Sequence, residues 1–406
     1  MSLVALEKHL RDLPNLLYLA DVPVESSYHG SALIYRLLQG FPQERLRIVE
    51  AGTYESKPER RLSGVKYQRM PVKEARLLNT RLNRWVSSAM SLQASVKSSQ
   101  LSHAIQDFRC DAVLTVAHGY SWLTAAAYAR QQNIPLHLIV HDDWPRMLPD
   151  VSPIRQWVDW QFGRCYREAI SRLCVSPFMV EEYERRYGVK GSVLYPSRAA
   201  DAISFAEPPK HLADSSRPLT CVFAGTINSP GYVRALQLLS DSLNEVKGRL
   251  VIYGPLTQEQ AVDLGLAGQN IEVRGLLPSN ELIQRLRAEA DVLFVPMSFR
   301  LEDRDNAKIS FPSKLTDYTA LGLPLLIYGP PYCSAVRWAK ENDGVAEVVE
   351  TQSDGALLAA IRRLNDSPQN RAMLAQQAIE AGNQYFSYDT GSRIFYSGLR
   401  QAAIAL

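Results

Sequence analysis

Cysteine is scarce in this chain, with five residues in 406, at positions 110, 165, 174, 221 and 333, and nowhere a CxxC pair. An odd, scattered set excludes a disulfide framework and a zinc site, and predicts reduced, buried thiols. Long apolar runs are missing as well. No stretch approaches the roughly 20 residues that a membrane-spanning helix needs. The opening MSLVALEKHLRDLPN interrupts a weak apolar pattern with Glu7, Lys8 and Arg11 and offers no small-residue cleavage site, so a signal peptide is not expected. A cytoplasmic location is the expectation. Charge of one sign is also in short supply: 45 Lys and Arg against 42 Asp and Glu leave a formal net charge of +3, too small to mark a nucleic-acid binder. Repeats of solenoid length and low-complexity tracts do not occur.

What the chain does have is two series of short apolar runs separated by helical patterns. NLLYLADV, LRIVEAG, DAVLTVAHG and LHLIVHD read as strands of a first series, and LTCVFAGT, GRLVIYG, IEVRG and DVLFVPMS as strands of a second. ALIYRLLQGF, a long region from about Val72 to Asp107, SWLTAAAYARQQ and MVEEYERRYG read as helices of the first series, with the polar SSYHGS as a turn. Runs of this kind joined by crossover helices imply parallel strands, and so an α/β chain of two doubly wound, Rossmann-like domains. A chain of this length also favours two domains of roughly 200 residues each. The expected boundaries are an N-terminal domain over 1–196, a linker over 197–218 where Pro, Ser and Asp collect without a period, and a second domain over 219–380.

The most informative segment is Ser310 to Gly329, SFPSKLTDYTALGLPLLIYG. Pro312 and Ser313 can open a helix with Ser313 as N-cap. Lys314, Asp317 and Tyr318 then lie in its first turns, where free backbone N–H groups favour a phosphate. This segment resembles the PxKLxEYxAxGxPV signature of glycosyltransferases with the two-domain B fold, in particular the large family 4 type of retaining enzymes that build polysaccharides, glycolipids and antibiotics. The resemblance implies two Rossmann-like domains facing a central cleft, with residues 381–406 forming a C-terminal helix that crosses back to the first domain. It also implies that Lys314 and the helix N-terminus hold the diphosphate of a sugar nucleotide, while the acid at 317 binds the ribose hydroxyls. That acid is aspartate here, where the family usually has glutamate.

In a doubly wound sheet ligands gather at the carboxyl ends of the strands, which makes each strand-end loop a candidate. In the second domain these are Gly225 and Thr226, Tyr253 and Gly254, and Gly275 with Leu276 and Leu277, whose main-chain groups meet the base edge in relatives. Many relatives carry a basic residue shortly after the first of these glycines; the run TINSPGY does not, which throws more of the phosphate onto Lys314. Relatives also carry two glutamates eight positions apart. Asp317 fills the second place, but Ile309 stands at the first, leaving Glu302, Asp303 and Asp305 of the charged loop FRLEDRDNAKI as substitutes near the donor sugar. Asp303 and Asp305 satisfy a DxD pattern, which in another fold binds a metal-diphosphate; a solvated or sugar-facing loop is the preferred reading, and no metal is expected.

In the first domain the polar cluster His141-Asp142-Asp143-Trp144 follows an apolar strand. The resemblance puts a histidine at this strand end beside the reacting sugar, so His141 and Asp142 are the catalytic candidates, against a purely structural histidine. His137 and His141, four apart, lack a third ligand for a metal. The loop Glu25 to Ser31, with His29 and Gly30, and the strand end His118-Gly119-Tyr120 are candidates for the donor-sugar and acceptor side, or plain turns.

These readings converge on transfer of a sugar from a nucleoside-diphosphate sugar, as substrate and not cofactor, to a glycan, lipid-linked or small-molecule acceptor. Retention is implied by the resemblance. A catalytically silent binding subunit and a sugar-nucleotide epimerase remain as alternatives. A further partner is suggested between Lys57 and Lys97, where ten Lys or Arg face two acids, Glu59 and Glu74. Leu77, Leu78, Leu82, Trp85, Val86 and Met90 among Arg76, Arg81 and Arg84 make either an anionic-membrane contact or a core-packing helix with a solvated basic face.

Overall fold

The computed structural model describes residues 13–26, 29–70, 77–214, 216–227 and 229–404. Chain contacts divide it into two compact units, Met1–Ala200 with Tyr388–Leu406, and Asp201–Ser387.

The first unit holds a seven-stranded sheet: β1 (Leu16–Ala20), β2 (Leu46–Glu50), β3 (Lys66–Arg69), β4 (Ala112–Val116), β5 (Leu136–Val140), β6 (Ser171–Cys174) and β7 (Ser192–Val193). Their order is β3-β2-β1-β4-β5-β6-β7, and all pairs are parallel, with Leu16 opposite both Leu46 and Ala112. Every residue of β1, β2, β4 and β5 is buried, because crossover helices cover both faces of a parallel sheet. The strand order reverses between β1 and β4, which is where such a sheet opens a crevice.

Three readings need correction here. The expected long helix after Val72 is two helices, Asn83–Ala94 and Ser98–Ala104, with residues 71–76 outside the described residues. β3 was overlooked, since its residues KYQR are charged or half-exposed, as suits an edge strand. The supposed turn SSYHGS is also shorter than expected, because His29 already opens the helix His29–Leu38.

The second unit repeats the plan with β8 (Thr220–Ala224), β9 (Arg249–Tyr253), β10 (Ile271–Gly275), β11 (Val292–Pro296), β12 (Leu325–Tyr328) and β13 (Glu347–Val349). The order β10-β9-β8-β11-β12-β13 is again parallel and reverses between β8 and β11. Phe223 and Phe294 of these two strands are fully buried, each contributing about 1.5–3 kcal/mol. Much of the segment 201–218 packs on this unit: Arg287 lies 3.8 Å over the Phe205 ring and donates to Glu207 O at 2.8 Å, and Arg371 donates to Leu212 O at 2.9 Å. The long helix Pro368–Phe386 belongs to this unit, and the chain breaks at Ser387 before the helix Tyr388–Ile404 of the first.

Candidate functional site

At the second unit's reversal, β8 ends in Gly225, and a short helix Lys314–Tyr318 lies alongside. Tyr318 is buried and ties the two together: Ala224 N–H donates to its hydroxyl at 2.7 Å, and that hydroxyl donates to Ala224 O at 3.2 Å. The helix is thereby fixed at the strand end. One residue-turn away, Lys314 Nζ sits 4.9 Å over the Phe223 ring and 5.9 Å from the Tyr232 ring, held by cation–π attraction. It makes no ion pair among the described residues, and burial lowers its pKa to about 8. Gly225, at φ +144, leaves the space the ammonium needs; a Cβ there would lie 2.5 Å from Nζ. Next to it, Gly225 N–H donates to Tyr253 O at 2.8 Å and Gly254 N–H to Gly275 O at 3.0 Å, so three glycines line the ends of adjacent strands. A Cβ on Gly254 would meet Gly225 O at 2.3 Å. This is a cation aimed at bare backbone, with no counter-ion supplied.

At the first unit's reversal the chemistry differs. Asp21, directly after β1, accepts from Tyr120 N–H at 2.8 Å, Ser121 N–H at 2.7 Å and Ser121 Oγ at 2.5 Å, capping the helix Ser121–Gln132. Burial raises its pKa, against the lowering influence of Ser121, His118 and Tyr120. Gly119, at φ +62, is required, since a Cβ would fall 2.2 Å from the Asp21 carboxyl carbon. His118 stacks on Trp144 with centroids 3.8 Å apart, and Trp144 Nε1 donates to Gly119 O at 2.8 Å. His141 and Asp142 follow β5 next to this pair. Burial pushes His141 down to about 4, opposed by Asp142 and reinforced by His118, and burial lowers His118 too. Both imidazoles are therefore neutral near pH 7, suited to exchanging hydrogen bonds with hydroxyls. Asp143 is drawn away from them: Arg186 grips both its oxygens at 2.8 Å, and Tyr183 Oη donates at 3.2 Å. His137 lies buried within β5 with Nδ1 2.8 Å from Ser171 Oγ. His29 and Gly30 open the helix after β1, and Ser27 and Tyr28 of that loop lie outside the described residues.

Solved structures with this architecture place the chain. An Anabaena protein, Alr3699/HepE, in complex with UDP-glucose is 14% identical over 96% of this chain and 100% of its own, with a TM-score of 0.64. The α,α-trehalose 6-phosphate synthase of Burkholderia multivorans is 15% identical over 97% and 100%, with a TM-score of 0.69. The sucrose-phosphate synthase of Thermosynechococcus elongatus is 12% identical over 96% and 100%, with a TM-score of 0.64. No curated protein matches. Residues 31–196 match the model of Glycosyltransferase Family 4. The fold is the glycosyltransferase B fold, and the first unit resembles Glycosyltransferase Family 4 over the matched residues.

Not every candidate joins the two strand-end clusters. Ser313 is helical at φ −58 and ψ −20 and its side chain caps nothing, so the expected N-cap bond is absent. Asp317 is half-buried on the same helix as Lys314, and Thr226 follows Gly225. The Tyr253 hydroxyl is spent on Glu289 and on Arg274 Nη1 at 3.0 Å, within the fabric of the sheet. Leu276 is exposed and Leu277 half-buried beyond Gly275 at φ +73. The charged loop after β11 is ordered into a turn and a helix, Arg304–Ile309, on which Ile309 is buried and Asp305 faces solvent. Asp303 accepts from Ser298 Oγ at 2.6 Å. No group of three or more His, Cys, Asp or Glu that could hold a metal occurs among the described residues. The sequence reading passed over Asp21, and it placed Tyr318 on the helix without its tie to Ala224. Asp21 stands directly after an apolar strand, a position that could have marked it; the Tyr318 contact spans 94 residues and leaves no local signal.

Proposed function

We propose that this chain is a glycosyltransferase that moves a sugar from a UDP-sugar, bound by the second unit, to an acceptor bound by the first, with retention and without a metal. The observation that carries the donor assignment is the half-buried Lys314 ammonium, beside Gly225 and over aromatic faces, with no carboxylate paired to it among the described residues. A desolvated cation without a counter-ion is a standing demand for an anion, and a departing diphosphate gathers the negative charge that meets it. The choice of uridine rests on HepE in complex with UDP-glucose. Asp317 is assigned to the ribose hydroxyls, the strand-end glycines and Leu276 and Leu277 to main-chain contacts, and the neutral imidazoles of His141 and His118 to sugar hydroxyls, with Asp142 setting their polarity. Lys314→Ala should weaken UDP by about 1–3 kcal/mol and leave uridine unchanged, as titration calorimetry would show. Equal affinity of wild type and variant for UDP removes the diphosphate role, and parallel titrations with GDP and dTDP test the base.

One observation favours a second reading, a subunit that binds a sugar nucleotide without turning it over. Ile309, buried, occupies the place of the first acid, while Asp303 is engaged by Ser298 and Asp305 lies exposed. A panel of UDP-, GDP- and dTDP-sugars decides between them: binding without hydrolysis or transfer supports the silent subunit.

A further inference from the structure

The helix Asn83–Ala94 is built inside out. Its inward face is serine: Ser87, Ser88 and Ser91 are buried, with Ser87 and Ser91 donating to the Asp150 carboxylate, the latter at 3.0 Å, and Ser88 Oγ accepting from Val151 N–H at 3.1 Å. Tyr120 Oη adds a bond to Ser87 at 2.9 Å, and Thr124 Oγ1 donates to Ala94 O at 2.6 Å. These bonds fix the rotation of the helix about its axis. Trp85, Ala89 and Leu92, spaced i, i+4 and i+7, therefore share the outward stripe, where Trp85 is 68% exposed. Leu77 and Leu82 before the helix and Val96 after it, the last 71% exposed, extend the apolar surface. This overturns the alternative of a core-packing helix for Leu77, Leu82 and Trp85, although Met90 does face the core.

The charge around this surface is equally one-sided. The broad basic stretch beginning at Lys57 proves to be two regions. In its first half Arg60 pairs with Glu25, Arg61 with Glu50 and Glu55, Lys66 with Asp107 and Arg69 with Glu55. In its second half no acid occurs from Ala75 to Gln106; Arg81 and Arg84 are exposed, Lys97 is half-buried, and none of the three makes an ion pair among the described residues. Single exposed apolar residues are ordinary, but a tryptophan stripe rimmed by uncompensated cations has two needs at once. An anionic lipid surface meets both: the indole and leucines enter the headgroup and acyl boundary while the arginines stay with the phosphates.

We propose that residues 77–97 form a docking face for an anionic membrane surface. The face lies on the first unit alone and does not depend on the sugar-transfer reading. No helix among the described residues is long and apolar enough to cross a membrane, so attachment is peripheral.

Flotation of the full chain with vesicles of phosphatidylcholine containing phosphatidylglycerol, against phosphatidylcholine alone, tests the proposal. Binding should need the anionic lipid and weaken with added salt, and Arg81→Gln and Arg84→Gln should each reduce it about fivefold. Trp85→Ser should abolish it with a nearly unchanged thermal melt and unchanged UDP affinity, because most of the side chain faces solvent. Absence of binding at low ionic strength, equal binding to neutral vesicles, or undiminished binding by the variants overturns the proposal. So would sedimentation showing a dimer that Trp85→Ser dissociates, which would give the face to a second copy of the chain.

Discussion

The two strand-order reversals of this chain share a backbone plan and differ in charge. Beyond β8 a lone ammonium waits over aromatic rings beside a glycine; beyond β1, β4 and β5 lie two neutral imidazoles, a stacked indole and a carboxylate consumed in capping a helix. The contrast separates what the fold supplies from what the side chains add. A parallel sheet provides open strand ends in both units; at those ends, among the described residues, the second presents a cation without an ion-pair partner, while the first presents hydrogen-bonding groups without net charge to attract an anion. In the proposed reading, anion seat and hydroxyl-recognising surface are two fillings of one architecture.

The sharpest way to break this contrast is through His141. His141→Ala should lower turnover of the UDP-sugar by about a hundredfold or more while UDP affinity stays nearly unchanged, since the imidazole serves the sugar and not the nucleotide. An equal loss in both would erase the division of labour. A variant with normal turnover and a lowered melting temperature would return His141 to a structural role.

The cation can be tested next by pH. Lys314 in the free protein is depressed to about 8, so above that pH the amine is neutral and diphosphate binding must take up a proton. UDP affinity should then fall about tenfold per pH unit above pH 8, until the higher pKa of the bound state is passed. In Lys314→Gln the profile should be flat over the same range. A slope that survives the substitution belongs to another group.

The smallest effect concerns the tie between strand and helix. Tyr318→Phe leaves Ala224 N–H buried without its acceptor, which should cost about 1–3 kcal/mol of stability in denaturant unfolding. Because the helix carrying Lys314 loses its anchor, UDP affinity should fall several-fold while uridine affinity holds. Loss of stability alone would make the tyrosine a packing residue and nothing more.

How much of this was readable in advance depended on whether the cause was local. β1, β4 and β5 announced themselves as unbroken apolar runs because both faces of each strand are buried, and the helix Ser121–Gln132 was legible over its full length. β3 was invisible because an edge strand can be made of Lys, Tyr, Gln and Arg. The segment after β11 reads from its charge as a loop, yet Arg304–Ile309 is a short helix with Ala307 and Ile309 buried. Lys314 was found from its motif, but its setting depended on Phe223, Gly225 and Tyr232, brought near by folding and not by spacing. Ser313 had the right residue type for a cap and the wrong backbone, a distinction set by φ and ψ. On the helix Asn83–Ala94 the pattern of leucine and tryptophan leaves a membrane-facing and a core-packing face both open, and buried serines bonded to Asp150 turn Trp85 and Leu92 outward.

The helix Tyr388–Ile404 ties the order of synthesis to the order of folding. Phe395 and Leu399 are fully buried in the same cluster as Leu16, Leu114 and Ile34, and the helix packs on β6 and on the helix His29–Leu38. The first unit is thus closed by residues translated after the whole of the second. While the chain emerges from the ribosome, the unit made first must wait with an apolar socket facing water, lacking two side chains worth about 1.5–3 kcal/mol each. The unit made second carries all its own core residues and can mature ahead of it. For this protein the usual sequence of domain maturation runs backwards, and the interval between the two events is when the nascent chain is most exposed to chaperones and to aggregation.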